Sequence, residues 1–243
     1  MLIVTRRSLI AGAAASAALG LAGCTTDSTP TVEASLPPQK PPVEPPLPAG
    51  ASKFSALYGP VTGEPFPVVG LKPSDVDPAF VRTAVDYISK EPPGTIIVDP
   101  ARHYLYFIQE GGKAMRYGVG VGREGFAWSG TATINSKQEW PDWYPPKEMI
   151  ERQPELRPHL SELQSGIGVK GGPHNPLGAR AMYLWQDNKD TLFRIHGTTE
   201  PHSIGKSVTS GCIRMINQDV IDLYSRTAVG TRVVVVASNA RVG

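Results

Sequence analysis

A chain of 243 residues with 24 basic and 22 acidic side chains is long enough for one or two domains with a substantial core. The formal charge of +2 comes from Arg6 and Arg7 alone, and the remaining chain carries 22 charges of each sign without a Lys/Arg-rich run, so nucleic-acid binding has no electrostatic footprint. Twenty-four prolines and 25 glycines favour loops and short strands over long helices.

The chain opens with Thr5-Arg6-Arg7-Ser8-Leu9-Ile10, a run of Ala, Gly and Leu, and then Leu21-Ala22-Gly23-Cys24. A basic head, a short apolar core and small residues before a cut site predict an export signal over residues 1–24. The twin arginine is similar to that of a Tat signal. Leu-Ala-Gly-Cys resembles a lipobox, in which Cys24 becomes the lipidated first residue and a membrane anchor. Residues 8–23 fall short of the roughly 20 needed to span a bilayer, against an uncleaved anchor helix. Residues 25–50 hold eight prolines between Pro30 and Pro48 and predict a polyproline-biased spacer. At about 3 Å per extended residue, it would reach tens of ångströms from a membrane.

In residues 51–93, Phe54, Tyr58, Phe66, Val68 and Val69 lie among prolines and glycines and predict an irregular wrap. Asp77-Pro78 then predicts a helix to about Ser89, with Asp77 as its cap and Phe80, Val81, Ala84, Val85 and Ile88 as its apolar stripe. Strands dominate residues 94–238. They are predicted at Thr95–Val98, at Tyr104–Gln109 and Ala114–Val121 as a hairpin, and at Ala132–Ser136, Ala181–Trp185, Thr191–Ile195 and Thr231–Ala237. A long insertion at 139–165 carries Trp140, Trp143 and Tyr144, as core or as a lid edge bordering a cleft, and helical turns near Lys147–Arg152 and Glu155–Leu163. Asn217 is placed as the cap of a helix to about Arg226, with Asp219 in its first turn and Val220, Ile221, Leu223 and Tyr224 inward. Many short strands with few helices predict a mainly β domain of sandwich or barrel-like build.

The chemistry-bearing stretch is Arg194–Met215. It contains Cys212, one of two cysteines, with His196 sixteen residues before it. If Cys24 carries lipid, Cys212 has no partner within the chain, and an odd thiol in an exported protein reads as reactive. The bland alternative is an inert buried cysteine. Alternation puts Ile195 on one face and His196 on the other, then Gly211, Ile213 and Met215 against Ser210, Cys212 and Arg214, so imidazole, thiol and guanidinium would face away from the core. His196 would take the thiol proton and hold the resulting ion pair. Backbone N–H groups around Gly211 and Cys212 would stabilise an oxyanion, and Arg214 would bind a substrate carboxylate. His103, His159, His174, His196 and His202 show no zinc-binding spacing, and no metal is expected. His202 reads as a solvated loop residue. Gly118-Val119-Gly120-Val121-Gly122 lacks the Gly-Lys-Ser/Thr of a phosphate loop.

His196-Gly197-Thr198, followed by Thr209-Ser210-Gly211-Cys212-Ile213-Arg214-Met215, resembles the signature of L,D-transpeptidases with a YkuD-type catalytic domain. That signature is a histidine, a gap of fourteen to seventeen residues, then Ser/Thr-His-Gly-Cys, a hydrophobic residue and Asn or Arg. Ser210 stands where a second histidine is usual, which leaves the proton work to His196. Asn175-Pro176-Leu177-Gly178 also resembles the family's turn before a core strand, and the resemblance covers roughly residues 94–238. It implies Cys212 as nucleophile, His196 as base oriented through the backbone of Gly197, Gly211 as an oxyanion donor, and Thr209, Ser210 and Arg214 as substrate contacts. The implied substrate is a peptidoglycan stem tetrapeptide. Cys212 would displace its terminal D-alanine, and a diaminopimelate amine of a second stem would resolve the thioester into a 3→3 cross-link without metal or organic cofactor. Alternatives are resolution by water, glycine or a protein lysine, or a non-catalytic wall-binding lipoprotein.

Overall fold

The computed structural model describes residues 52–123 and 128–237. The export signal with Cys24 and the proline-rich spacer lie outside the described residues. Helix α1 (Lys53–Tyr58) leads into strands β1 (Thr83–Asp86), β2 (Ile96–Asp99), β3 (Tyr104–Gln109), β4 (Lys113–Gly118), β5 (Val121–Gly122) and β6 (Gly130–Glu139). Helix α2 (Lys147–Arg152), the hairpin of β7 (Ser161–Leu163) and β8 (Gly166–Gly168), β9 (Arg180–Gln186), β10 (Lys189–His196), β11 (Ser207–Thr209), β12 (Ile213–Arg214), α3 (Asn217–Arg226) and β13 (Arg232–Val235) complete the order.

Nine strands form one mixed sheet in the order β1-β4-β3-β2-β13-β6-β9-β10-β12. The last strand, β13, lies in its middle, parallel to β2 and antiparallel to β6. The sheet is apolar on both faces, because period-two alternation sends successive residues of its continuous apolar runs to opposite sides. Ile96, Val98, Leu105 and Phe107 join Ile134, Leu184, Ile195, Met215 and Val233 on one side, whereas Ile97, Tyr106 and Ile108 pack with Tyr87, Val234 and Val236 on the other. Helix α3 closes the first face with Val220 and Leu223. The domain is mainly β, as the strand pattern predicts.

The helix expected over Asp77–Ser89 is absent. Asp77 does cap through Ala79 N–H (2.9 Å), but only a single 3-10 turn, Pro78–Phe80. The chain extends from Val81, and Thr83–Asp86 pairs antiparallel with β4. Without β1 the edge of β4 would be unpaired, and Val85 finds its apolar contacts in the Tyr106–Ile108 cluster. Ile88, assigned to the apolar stripe, is 92% exposed. Asn217 also differs from its expected role. Helix α3 begins without a side-chain cap, and the Asn217 Oδ1 accepts the Ala179 N–H instead (3.0 Å). In the insertion, the turn after α2 stops at His159 and the chain becomes β7.

Residues 52–82 are stitched to the sheet by buried polar contacts. The Gln218 amide donates to the carbonyls of Gly59 (3.1 Å) and Val69 (3.0 Å). Glu64 accepts from Arg180 (2.6 and 2.8 Å) and from the indole of Trp140 (2.9 Å), and Trp140 is buried. The Tyr58 hydroxyl donates to Asp219 (3.1 Å) and accepts the Arg82 N–H (2.7 Å), while the Arg82 guanidinium lies 3.0 Å from Asp222 and 3.8 Å from Asp219. Burial, against the pull of Arg82, pushes the Asp219 carboxyl up to about 7. These contacts tie the wrap to the helix that follows the cysteine-bearing strand.

Because the Tyr58 hydroxyl is buried and serves two partners, Tyr58→Phe should cost about 1–3 kcal/mol, the loss expected when a buried polar group loses its partner. Urea denaturation should show a lower midpoint with an unchanged slope; an unchanged midpoint would mean that the wrap contributes nothing through this contact.

Candidate active site

Strands β10 and β12 pair in parallel, with Ile195 beside Ile213 and His196 beside Arg214. The Met215 N–H donates to the His196 carbonyl at 2.8 Å. Ile213 and Met215 turn into the core, and Cys212 and Arg214 turn to the other face, each half-buried, as the alternation predicts. Cys212 is a free thiol among the described residues.

The turn before Cys212 is shaped by Thr209, whose hydroxyl donates to the Cys212 carbonyl (2.8 Å) and accepts the Gly211 N–H (3.1 Å). Gly211 has φ +130°, a backbone that side-chain-bearing residues rarely adopt. Thr209 is 4% exposed and holds the loop through its hydroxyl, to which the Gly211 N–H donates. Ser210, in contrast, is exposed.

His196 is buried (4% exposed) rather than turned to an open surface, with Ala181 of β9 and Arg214 of β12 as its register partners. Its Nδ1 lies 2.6 Å from the Gly197 carbonyl. A carbonyl only accepts, so Nδ1 carries the proton and Nε2 keeps the lone pair. Gly197 itself is held by its neighbours, since a Cβ there would stand 2.2 Å from the Asn217 Oδ1. Asn175 fixes the approach from the other side, accepting the Leu177 N–H (2.9 Å) and donating to the Val169 carbonyl (2.8 Å).

Burial pushes the His196 imidazole down to about 4; the Gly197 bond works against this, and the charges of Arg214 and Arg194 add to it. Burial pushes the Cys212 thiol up, opposed by a hydrogen bond from the Arg194 backbone and by the same two guanidinium groups. Imidazole and thiol thus share one electrostatic environment, in which burial opposes the charged form of each.

Arg214 is engaged by Glu200 at 2.7 Å. Glu200 sits on the loop between the motif halves, its N–H donating to Thr198 Oγ1 (3.0 Å) and its carbonyl accepting the Ser203 hydroxyl (2.6 Å). His202 is an exposed loop residue, as read from the sequence. The glycine-rich run 118–122 is structural: Gly120 exchanges hydrogen bonds with Arg214 (2.8 and 2.9 Å), and β5 pairs with β11. A cavity of about 160 Å³ bounded by Val68, Trp140, Thr198, Thr199 and Asn217 lies behind the loop that follows His196. Among the described residues no group of three or more His, Cys, Asp or Glu side chains gathers as a metal site. Arg194 and its carboxylate partner Asp190 are site residues that the motif does not contain; the close spacing of acid and base along β10 is the only signal they leave in the sequence.

The family model described as YkuD, L,D-transpeptidase catalytic domain, matches residues 93–235. The probable L,D-transpeptidase ErfK/SrfK of Escherichia coli (strain K12) is 31% identical over 148 residues, 58% of this chain and 43% of its own length. The probable L,D-transpeptidase YbiS of the same organism is 32% identical over 143 residues, 57% of this chain and 43% of its own length. The chain therefore spans under half the length of these curated relatives. A solved structure described as a probable carnitine operon oxidoreductase caia from Brucella melitensis shares 50% identity over 66% of this chain and 96% of that one, with a TM-score of 0.44.

The buried imidazole makes a signed prediction for stability. Its folded value of about 4 lies below the ordinary 6.5, so the unfolded chain takes the proton first; the contribution is complete above pH 6.5 and disappears as pH falls toward 4. Relative to a His196→Gln variant, the wild type should lose about 3 kcal/mol between pH 7 and 4 in urea titrations. Parallel pH profiles for the two proteins would contradict a neutral buried imidazole.

Proposed function

This chain belongs to the YkuD family of L,D-transpeptidase catalytic domains, and on that premise we propose that it is a peptidoglycan L,D-transpeptidase working through a cysteine acyl-enzyme. The observation that carries the reading is the placement of a free thiol just before β12 and a tautomer-fixed imidazole at the end of β10, with the two strands register-locked and two guanidinium groups shared between them.

The reaction starts from the neutral pair. As the Cys212 Sγ attacks the carbonyl between diaminopimelate and the terminal D-alanine, the S–H proton passes to Nε2 of His196 and a C–S bond forms. Both charges arise only when the substrate is in place, and Arg194 and Arg214 favour the sulfur anion. Backbone N–H groups of Gly211 and Cys212, in a loop held by Thr209, are the donors assigned to the developing oxyanion. Collapse breaks the amide C–N bond, and His196 returns its proton to the departing D-alanine amine, leaving a thioester. The side-chain amine of a diaminopimelate on a second stem then attacks the thioester. Its proton goes to His196 and onward to the leaving sulfur, which restores the neutral pair and leaves a 3→3 amide. Arg214 offers a carboxylate-binding fork that Glu200 holds in place before substrate arrives, and exposed Ser210 lies at the rim as a substrate contact.

An export signal over residues 1–24, a lipid on Cys24 and the spacer of residues 25–50 would put the domain in the cell envelope within reach of its polymer. No helix among the described residues is long and apolar enough to cross a membrane.

The test is incubation with purified stem tetrapeptides, with products identified by mass spectrometry. The wild type should release D-alanine and form 3→3 dimers. Cys212→Ala should do neither, and His196→Ala should be slower by about 10²–10⁴-fold, the range for a general base. Free tripeptide, glycine exchange or attachment to a protein lysine would place the chain in a different activity of the same family. The absence of any product with an intact, reduced Cys212 would defeat the enzymatic reading.

A further inference from the structure

The sulfur of Cys212 faces a part of β10 that is not regular strand. Pairing with β9 shifts register between Asp190 and Arg194, and Leu192, inside the bulge, has φ +63° while its side chain is 74% exposed. A bulky residue held in the left-handed region marks a backbone that its surroundings over-determine. The main restraint is Asp190. Its Oδ1 accepts the Leu192 N–H at 2.8 Å, and its two carboxylate oxygens each accept from the Arg194 guanidinium at 2.9 Å. Thr191 locks the other side, donating to the Leu184 carbonyl (2.6 Å) and accepting the Phe193 N–H (3.2 Å). The guanidinium of Arg194 also lies over the Tyr183 ring, 4.7 Å from its centroid.

Two backbone groups of this bulge meet the nucleophile. The thiol lies 4.0 Å from the Leu192 carbonyl, a reach at which S–H donates to oxygen, and the Arg194 N–H hydrogen-bonds the same sulfur. One is an acceptor suited to the protonated thiol, and the other a donor suited to the thiolate. Resting on the reading of Cys212 as nucleophile, we propose that Asp190 is a positioning residue: by shaping the β10 bulge it sets the Leu192 carbonyl and the Arg194 N–H on either side of Cys212 Sγ. The sulfur changes hydrogen-bond partner within a fixed backbone frame as its proton leaves for His196 Nε2. Neither group has to move.

The charge of Asp190 and its shape act in opposite directions, which makes the idea testable. The charged groups that act on the sulfur are Asp190 and Arg194 on β10 and Arg214 on β12, and Arg194 and Arg214 also act on His196. Asp190 acts on the thiol as a nearby negative charge that disfavours the thiolate. Deleting only that charge would make Cys212 more reactive. Deleting the bulge geometry would remove the Arg194 donor and make it less reactive.

The measurement is the alkylation rate of Cys212 by iodoacetamide from pH 5 to 10 in the full chain, read by peptide-resolved mass spectrometry so that Cys24 does not contribute. Asp190→Ala should label about tenfold more slowly at pH 7, with the midpoint raised by about one unit, since thiolate is the reacting form. Asp190→Asn deletes the charge but keeps an acceptor for the Leu192 N–H, and should label faster than Asp190→Ala. If Asp190→Ala does not melt cooperatively, Asp190→Glu, which keeps the charge but changes the reach to the Leu192 N–H, takes its place with the same expected direction. In Asp190→Ala or Asp190→Glu, a faster rate with a lowered midpoint, an unchanged profile, or a slower rate with an unshifted midpoint each overturns the proposal. Failure of the stem-peptide assay, in contrast, would remove the transpeptidase reading and leave the alkylation result standing.

Discussion

The hydrogen bond from the Met215 N–H to the His196 carbonyl, within the parallel pairing of β10 and β12, joins two halves of a site that lie sixteen residues apart in sequence. A parallel pair usually needs a long crossover. Here residues 197–212 supply it with a 3-10 turn and the short strand β11 rather than a full helix. The register is fixed by packing, because Ile213 and Met215 are buried in the main apolar cluster. A slip of one residue would send Cys212 into that cluster and expose Ile213. The free energy that positions the nucleophile therefore resides largely in its apolar neighbours.

Burial determines the charge state that follows. An imidazole that resists protonation beside a thiol that resists ionisation is an arrangement in which proton transfer and carbon–sulfur bond formation belong together. The two arginines favour a sulfur anion and oppose an imidazolium, and each is partnered by a carboxylate, Arg194 by Asp190 and Arg214 by Glu200. The dyad sits between two such ion pairs, so positive potential is present at the sulfur while neither guanidinium is left without a counter-charge.

Much of this was legible in the sequence, and the failures have physical causes. Period-two alternation located the strands, and the 3.6-residue stripe of Val220 and Leu223 located α3. The same kind of stripe misled at residues 77–89, because Phe80, Val81, Ala84 and Val85 satisfy a helical spacing while β4 offers an open edge that no local pattern reveals. At the site, alternation told the faces of Cys212 and Arg214 correctly but not the burial of His196, since what covers a strand's face is written elsewhere in the chain. Thr209, Asn217 and Asp190 act through side-chain bonds to backbone, which leave little periodic signal.

The central position of β13 governs the order in which the protein can be completed. Until residues 232–235 have been synthesised, β2 and β6 have no strand between them, and the sheet exists as two pieces, each with an open edge where Val233–Val235 will later bond. Open edges of this kind are the surfaces through which nascent chains pair wrongly. Closure of the sheet must therefore wait for residues 232–235, when one short valine-rich strand zips both pieces together. The catalytic strands β10 and β12 belong to the second piece, and they become part of a continuous sheet only at that last step.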